Sequence, residues 1–126
     1  MSGFAELLHD AGFTVKGSDA NRSKITEHLQ SLGVEVLYGQ KSNNITSDID
    51  FVVYTAAIHP DNPEFRAAKE MGLPMMERAE MVGQVMKNYT NAIGVSGTHG
   101  KTTTTSMITE ILLAANADPT ISVGGI

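Results

Sequence analysis

The 126-residue sequence contains no cysteine and no tryptophan, and basic residues are scarce, with nine Lys and Arg against fourteen Asp and Glu. The absence of cysteine excludes a disulfide scaffold and a thiolate metal site. The excess of acidic residues argues against a general nucleic-acid binder. No apolar run approaches the roughly 20 residues that a membrane span needs, and the first residues lack the basic and apolar parts of a signal peptide. We therefore expect a cytoplasmic protein that binds neither membranes nor nucleic acid.

What the sequence does contain is typical of a packed domain. Hydrophobic residues make up 41% of the chain and charged residues 18%, which argues against disorder. Strand-like and helix-like segments alternate, and this alternation predicts an α/β fold with a mostly parallel sheet. The predicted strands are 13–17, 34–37, 51–54, 75–76, 92–95 and 120–123.

Helices are predicted from apolar residues at helical spacing and from their end signals. Ile25, Leu29 and Leu32 are expected to form the inner face of one helix. Asn62 followed by Pro63 predicts a helix start, because asparagine caps free N–H groups and proline has no N–H to leave unpaired. Glycines are expected to end three helices, because glycine adopts positive φ without a Cβ penalty. These are Gly12, Gly33 and Gly72, and the other predicted helices are 79–86 and 102–115.

The strongest chemical signal is Gly97-Thr98-His99-Gly100-Lys101-Thr102, between a predicted strand and a long predicted helix. Glycines let successive N–H groups face a phosphate, and the helix N-terminus adds partial positive charge. Lys101 would neutralise the β- and γ-phosphates of ATP, and the Thr102 hydroxyl would coordinate Mg²⁺. The strict P-loop pattern is not met, because Val95 stands where its first glycine belongs. A plain strand-to-helix turn is the alternative.

The segment from Val95 to Thr105 resembles the ATP-binding loop of the Mur ligases, which build the peptide stem of bacterial peptidoglycan. His99 and the threonines after Lys101 resemble in particular the family members that add L-alanine. Further segments resemble the same family in the right order, namely Met1-Ser2-Gly3, Gly17-Ser18-Asp19, Asn62-Pro63-Glu64, Arg78-Ala79-Glu80-Met81, Asp118-Pro119-Thr120 and Gly124-Gly125. The resemblance covers essentially the whole chain.

The resemblance implies an ATP- and Mg²⁺-dependent ligase that joins L-alanine to the lactyl carboxylate of UDP-N-acetylmuramate through an acyl phosphate. It implies a Rossmann-like UDP-sugar-binding domain over residues 1–88, followed by the beginning of a P-loop ATP-binding domain over residues 89–126. We expect a fragment, because the first strand with most of its glycine-rich loop, the later Glu and His that act with Mg²⁺, and the C-terminal domain are not in the sequence.

The resemblance also implies the site residues. The UDP-sugar residues would be Ser2, Gly3, Ser18 and Asp19. From position alone, Asp19 lies where an acidic residue commonly accepts hydrogen bonds from a ribose hydroxyl, and its alternative role is a turn that caps the next helix. For His99, a contact with a phosphate or with the sugar carboxylate and a purely structural place in the loop are equal alternatives. The ATP-binding residues would be Gly97, Thr98, His99, Gly100, Lys101, Thr102 and Thr103, with Lys101 catalytic and Thr102 a Mg²⁺ ligand.

Three alternative functions stay open. A ligase that recycles murein tripeptide shares the His99 loop but joins a preformed peptide to the same sugar nucleotide, and Arg78-Ala79-Glu80-Met81 favours the L-alanine enzyme over it. A nucleotide-binding remnant would bind UDP or ATP without catalysis. An unrelated P-loop ATPase would hydrolyse ATP without any UDP-sugar.

Overall fold

A computed structural model of the chain describes residues 1–122. The chain divides into two compact units, of which the first is Met1–Asn88 and the second begins at Tyr89. The elements of the first unit are α1 Ser2–Asp10, β1 Lys16–Asp19, α2 Lys24–Ser31, β2 Glu35–Tyr38, a 3₁₀ turn Ser42–Asn44, β3 Val52–Tyr54, α3 Pro63–Glu70, β4 Met75–Glu77 and α4 Arg78–Met86. The second unit contains α5 Lys101–Ala114.

The four strands form two parallel pairs. β1 pairs with β2 in a register that places Ser18 opposite Leu37, and β3 pairs with β4 in a register that places Val53 opposite Met76. Within residues 1–122, no hydrogen-bonded ladder joins the two pairs. The predicted α/β fold with parallel strands is confirmed, as two small sheets where a single sheet was predicted.

The predicted start of α3 is confirmed at the level of individual hydrogen bonds. Asn62 Oδ1 accepts from the backbone N–H of Glu64 at 3.0 Å and of Phe65 at 3.3 Å. Pro63 is the first helical residue, where its missing N–H leaves nothing unpaired. Phe65 then meets the ring of Tyr54 edge-to-face, with 5.1 Å between ring centroids, which ties α3 to β3.

The inner face of α2 differs from its prediction by one position. Thr26 and Leu29 are the buried residues of this helix, whereas Ile25 is 60% exposed, so its predicted inward position is wrong. Thr26 can be buried because its hydroxyl is satisfied: it accepts from the Ser23 N–H at 2.9 Å and from the Tyr38 hydroxyl at 3.0 Å. Burying a hydroxyl that has hydrogen-bond partners costs little free energy. A polar residue can therefore lie on the inner face, and the apolar pattern alone does not determine the rotation of the helix about its axis.

The predicted ends of α1, α2 and α3 at glycine are confirmed. Gly12, Gly33 and Gly72 have φ angles of +94°, +101° and +69°, a region that residues with a Cβ rarely adopt. Each glycine N–H donates to a carbonyl of the preceding helix, and the N–H of the following residue donates to a carbonyl one residue earlier. This is the Schellman motif, which satisfies carbonyl groups that a helix end leaves free.

The same motif explains why β1 and β2 begin later than predicted. The N–H of Phe13 donates to Leu8 and that of Val34 donates to Leu29, both at 3.1 Å. These residues still belong to the helix ends and are not available for strand pairing. As a consequence β1 is displaced along the chain and includes Asp19, which was expected to follow the strand.

The second unit contains one of its three predicted elements in full. The helix predicted over 102–115 is confirmed as α5. The strand predicted over 92–95 is wrong, because the described part of this unit offers no second strand with which it could form a ladder. Residues 120–122 are not a strand either, while the remainder of that prediction, Val123, and the Gly124-Gly125 pair lie outside the described residues.

None of the helices within residues 1–122 is both long enough and apolar enough to cross a membrane.

Replacing Asn62 with alanine removes the acceptor for two N–H groups at the start of α3. We expect the free energy of unfolding of the first unit to fall by about 1 kcal/mol, measured by urea titration with the amide resonances of α3 as the probe. The matched control is Asn43→Ala, since Asn43 is exposed in the 3₁₀ turn. An equal loss in both variants would show that the cap contributes nothing specific.

Candidate functional site

The loop before α5 turns into the helix at a glycine. Gly100 is the N-cap of α5 and has a left-handed conformation, with φ 76° and ψ 8°. A residue with a Cβ is strained in this region by about 1–2 kcal/mol. The predicted nucleotide residues Thr98, His99, Lys101 and Thr102 around it are all exposed. The loop is therefore open to a ligand.

The N-terminus of α5 presents unpaired backbone donors. No side chain in the described residues caps it, and the Thr104 N–H donates to the Gly100 carbonyl at 2.9 Å. The N–H groups of Lys101, Thr102 and Thr103 precede that bond and have no acceptor within the helix. Together with the helix dipole, such donors attract an anion, and a phosphate is the usual occupant.

The Lys101 side chain folds back over the loop. Its Nζ donates to the Gly97 carbonyl at 2.6 Å, and an ammonium group has three donors in all, so two remain for an anion beside the helix start. The hydroxyls of Thr105 and Ser106 donate back to the carbonyls of Lys101 and Thr102, at 2.8 and 2.9 Å. The structure thus brings the predicted lysine, the glycines and the helix start together in one loop.

The loop fits Mg²⁺ only in company with a phosphate. Residues 1–122 contain no cluster of three or more His, Asp or Glu that could hold a metal ion. The Thr102 hydroxyl is exposed and would be one ligand among several. Mg²⁺ commonly takes its remaining ligands from substrate phosphates and water, so a phosphate bound at the start of α5 would complete its coordination.

Neither role considered for His99 is favoured by its surroundings. Its side chain is exposed, and its backbone carbonyl lies 3.5 Å from the position a Cβ would take on Gly97. A Cβ on residue 97 would therefore meet the His99 carbonyl oxygen at an ordinary van der Waals distance. The His99 side chain could reach a phosphate or act only as a spacer.

In the first unit, Ser18 and Asp19 lie at the carboxyl end of β1. The Asp19 carboxylate accepts from the Asn21 N–H at 2.9 Å, which forms a turn after the strand. The proposal that Asp19 caps the following helix is wrong, since Ser23 is the cap of α2. The Asp19 backbone carbonyl accepts from the Gly39 N–H at 2.8 Å. This bond ties the end of β1 to the residue that follows β2.

The hydrogen bonds that hold Ser18 could not be predicted from the sequence. Its hydroxyl donates to Glu64 Oε2 at 2.5 Å, and Asn44 Nδ2 donates to Glu64 Oε1 at 2.7 Å. Asn44 Nδ2 also donates to the Gly39 carbonyl at 2.9 Å. Glu64 was noted only as part of Asn62-Pro63-Glu64, and no spacing signal links a residue of α3 to β1.

The structure separates the other two predicted substrate residues from this group. Ser2 and Gly3, which were expected to bind the UDP-sugar, form the first turn of α1. Ser2 borders an open groove of ≈ 300 Å³ between α1 and α2, which Gly3, Ser18 and Asp19 do not line. The four residues therefore do not line this groove together.

Arg78 is a second residue whose surroundings could not be predicted from the sequence. Its Nε is buried and has no hydrogen-bond partner within the described residues. This buried donor is available to an acceptor.

Comparisons with known sequences agree over the whole chain. The family described as "Mur ligase family, catalytic domain" matches residues 1–90. The UDP-N-acetylmuramate–L-alanine ligases of Agathobacter rectalis and Lachnoclostridium phytofermentans are 64% and 62% identical to this chain over 126 residues, which is its full length. The chain spans only 28% and 27% of the length of these two relatives.

Solved structures show the same likeness. The UDP-N-acetylmuramate-alanine ligase of Thermotoga maritima matches with a TM-score of 0.91 at 32% identity, over 100% of this chain and 29% of that one. The UDP-N-acetylmuramate:L-alanyl-gamma-D-glutamyl-meso-diaminopimelate ligase of Neisseria meningitides matches with a TM-score of 0.90 at 30% identity, over 100% of this chain and 40% of that one.

The left-handed conformation at the start of α5 makes a prediction for Gly100. Gly100→Ala should weaken the first turn of α5 by about 1–2 kcal/mol, which speeds hydrogen exchange of the Thr104 amide by about tenfold. Gly94→Ala is the control, because Gly94 has no positive φ and a Cβ there would meet nothing within 4 Å. Equal exchange rates in the two variants would contradict the left-handed cap.

Proposed function

The chain belongs to the Mur ligase family, and on that premise we propose that it is part of an ATP-dependent ligase that joins L-alanine to UDP-N-acetylmuramate in the cytoplasm, in peptidoglycan precursor synthesis. The observation that carries the proposal is the loop at 97–103, where an uncapped helix start and the Lys101 ammonium converge. Relatives 52–64% identical to the chain bear the name of this ligase.

The proposed reaction has two steps. A lactyl carboxylate oxygen attacks the γ-phosphorus of ATP, the bond from that phosphorus to its bridging oxygen breaks, and ADP leaves. The L-alanine nitrogen then attacks the acyl carbon of the resulting acyl phosphate, the carbon–oxygen bond to phosphate breaks, and the nitrogen loses a proton as the amide forms. Catalysis of phosphoryl transfer consists largely of positioning and charge neutralisation.

The loop residues have the chemistry that the first step requires. Lys101 would hold the β- and γ-phosphates and offset the negative charge that moves to the leaving oxygen. The backbone N–H groups at the start of α5 would orient the same phosphates, with Gly97, Thr98, His99 and Gly100 forming the rest of the loop. The Thr102 hydroxyl would be a ligand of the Mg²⁺ bound with ATP.

We further propose that residues 1–88 form a UDP-sugar-binding domain and that residues 89–126 begin the ATP-binding domain. In a doubly wound sheet the strand order is 3-2-1-4-5, so a sheet without strand 1 is left with the pairs 3-2 and 4-5. The observed pairs β1–β2 and β3–β4 fit strands 2 to 5 of that order. In such a domain the ligand lies at the carboxyl ends of the strands, where Ser18 and Asp19 are.

Ser2 and Gly3 keep in this proposal the UDP-sugar-binding role that was expected of them. As the first turn of α1, they contribute N–H groups that have no acceptor within the helix. Such groups would face the diphosphate of UDP in a domain of this kind. The buried donor of Arg78 is a further candidate for a contact with that anion.

The strand order can be tested by supplying the strand it lacks. The segment that precedes the matched region of the Agathobacter rectalis ligase is fused to Met1. We expect amide hydrogen exchange on the unpaired edges of β1 and β3 to slow by at least about tenfold, because a parallel strand would pair with both edges. The control fusion carries two prolines in that segment, which remove ladder donors. Unchanged exchange in both fusions would contradict the proposed order.

The catalytic role of Lys101 can be tested in a complete enzyme. In the Agathobacter rectalis ligase with its matching segment replaced by this chain, Lys101→Ala should reduce ATP-dependent ligation of L-alanine by at least about a thousandfold, since the phosphates lose their main cation. Lys87→Ala is the matched control, because Lys87 is exposed and bonds only to Gln84 at 3.3 Å in the described structure. Survival of activity in Lys101→Ala would refute the loop assignment.

One alternative keeps a specific observation in its favour. The Neisseria ligase, whose name includes a tripeptide, has nearly the same TM-score as the Thermotoga enzyme. Assay of the complete protein with L-alanine and with the tripeptide as acceptors would separate the two functions. An alignment over all 126 residues, the loop included, at 64% identity argues against an unrelated P-loop ATPase.

A further inference from the structure

The carboxylate of Glu64 is held by two donors from two different segments. Oε2 accepts from the Ser18 hydroxyl at the end of β1, and Oε1 accepts from the Asn44 amide in the 3₁₀ turn after β2. Glu64 itself lies in the first turn of α3, where Asn62 caps its N–H. One side chain therefore connects the end of a strand, the following turn and the start of a helix.

The Asn44 amide fixes which way this group of hydrogen bonds runs. Its nitrogen donates to the Gly39 carbonyl as well as to Glu64, and an amide nitrogen has only two hydrogens. Both are in use, so Glu64 Oε1 is the acceptor of that bond. An ionised carboxylate accepts at both oxygens, and consequently the Ser18 hydroxyl donates its single hydrogen to Oε2.

A hydroxyl whose hydrogen is already donated can only accept further bonds. The Ser18 hydroxyl has two lone pairs for a ligand and no hydrogen. Asp19 follows Ser18 in the strand, and its exposed carboxylate, which accepts from the Asn21 N–H, also accepts only. These two side chains repel a phosphate, whose oxygens are acceptors, and they attract a ligand group that donates.

We propose that Glu64 is a positioning residue that turns the Ser18 hydroxyl into an acceptor for a ribose hydroxyl of a bound uridine nucleotide. This inference rests on the proposed UDP-sugar-binding function of the first unit. Glu64 touches no ligand in this account and acts through the direction of one hydrogen bond. Ser18 and Asp19 thereby select the ribose, while the diphosphate is left to donors elsewhere in the unit.

Glu64→Gln tests the inference because it reverses that direction. The Gln oxygen must face the Asn44 donor, so the Gln amide nitrogen faces Ser18 and donates to it. The Ser18 hydroxyl then has one lone pair occupied by the Gln N–H and a free hydrogen, so it no longer meets the ribose as an acceptor only. Glu70→Gln is the matched control, since Glu70 is exposed at the other end of α3.

The experiment titrates the ¹⁵N-labelled 126-residue chain with UDP, 2′-deoxy-UDP and 3′-deoxy-UDP, and follows the amides of Ser18 and Asp19. The wild type and Glu70→Gln should bind UDP about three- to tenfold more tightly than one of the two deoxy analogues, the effect of one hydrogen bond. Glu64→Gln should show a smaller preference, because Ser18 then offers the ribose hydroxyl one lone pair in place of two. Melting temperatures of all variants are recorded, because a merely structural role would move them without changing the preference.

Each outcome decides between the two proposals. If UDP binds and Glu64→Gln keeps the wild-type preference, the positioning role is wrong while UDP binding stands. If the wild type does not bind UDP at millimolar concentration, UDP binding by this chain is wrong and the role of Glu64 falls with it. Should Glu64→Gln fail to fold, Ser18→Ala replaces it, because loss of the hydroxyl must abolish the same preference without disturbing the bond between Asn44 and Glu64.

Discussion

Parallel pairing of β1 with β2 brings the carboxyl ends of both strands to the same edge, and the polar chemistry of the first unit depends on that direction. The Asp19 carbonyl meets the Gly39 N–H there at 2.8 Å, and Glu64 reaches the same edge from α3 to accept from Ser18. In an antiparallel pair the corresponding residues would lie at opposite edges of the sheet. The direction of pairing is thus what gives Ser18, Asp19 and Glu64 a common place.

The two small sheets formed by this parallel pairing bury few apolar side chains. Parallel sheets are normally covered on both faces and buried, yet only four apolar residues within residues 1–122 are buried: Leu29, Val34, Ala68 and Met81. On α5, Met107, Ile111 and Leu113 are more than half exposed. Two-stranded sheets are marginal alone, so hydrogen-bonded caps and turns contribute a large share of the local order.

Features that depend on local hydrogen bonds could be predicted from the sequence, and features that depend on distant partners could not. Asn62 with Pro63 and the helix-ending Gly33 were predicted correctly, because a cap or a left-handed turn is decided within a few residues. Ile25 was placed on the wrong face, since the rotation of α2 depends on Tyr38 and its bond to Thr26. The strand at 92–95 failed for the same reason, as a strand exists only with its neighbour.

The residues of the candidate site also differ in whether they could be predicted from the sequence. The loop at 97–103 could be predicted, because its glycines, lysine and threonines are contiguous and their geometry follows from one helix start. Glu64 could not, since it lies 46 residues from Ser18 in the sequence and only the tertiary structure brings the two together. Its importance is chemical, because the direction of one hydrogen bond decides whether Ser18 meets a donor or an acceptor.

The two solved ligases whose fold the chain shares differ in the peptide or amino acid in their names and agree in UDP-N-acetylmuramate. Their TM-scores of 0.91 and 0.90 barely distinguish them. If this part of the chain handles only the nucleotides that both enzymes use, its fold has no reason to differ between them. The proposal of L-alanine over the tripeptide therefore rests on sequence, on 52–64% identity to ligases of that name and on segments such as Arg78-Ala79-Glu80-Met81.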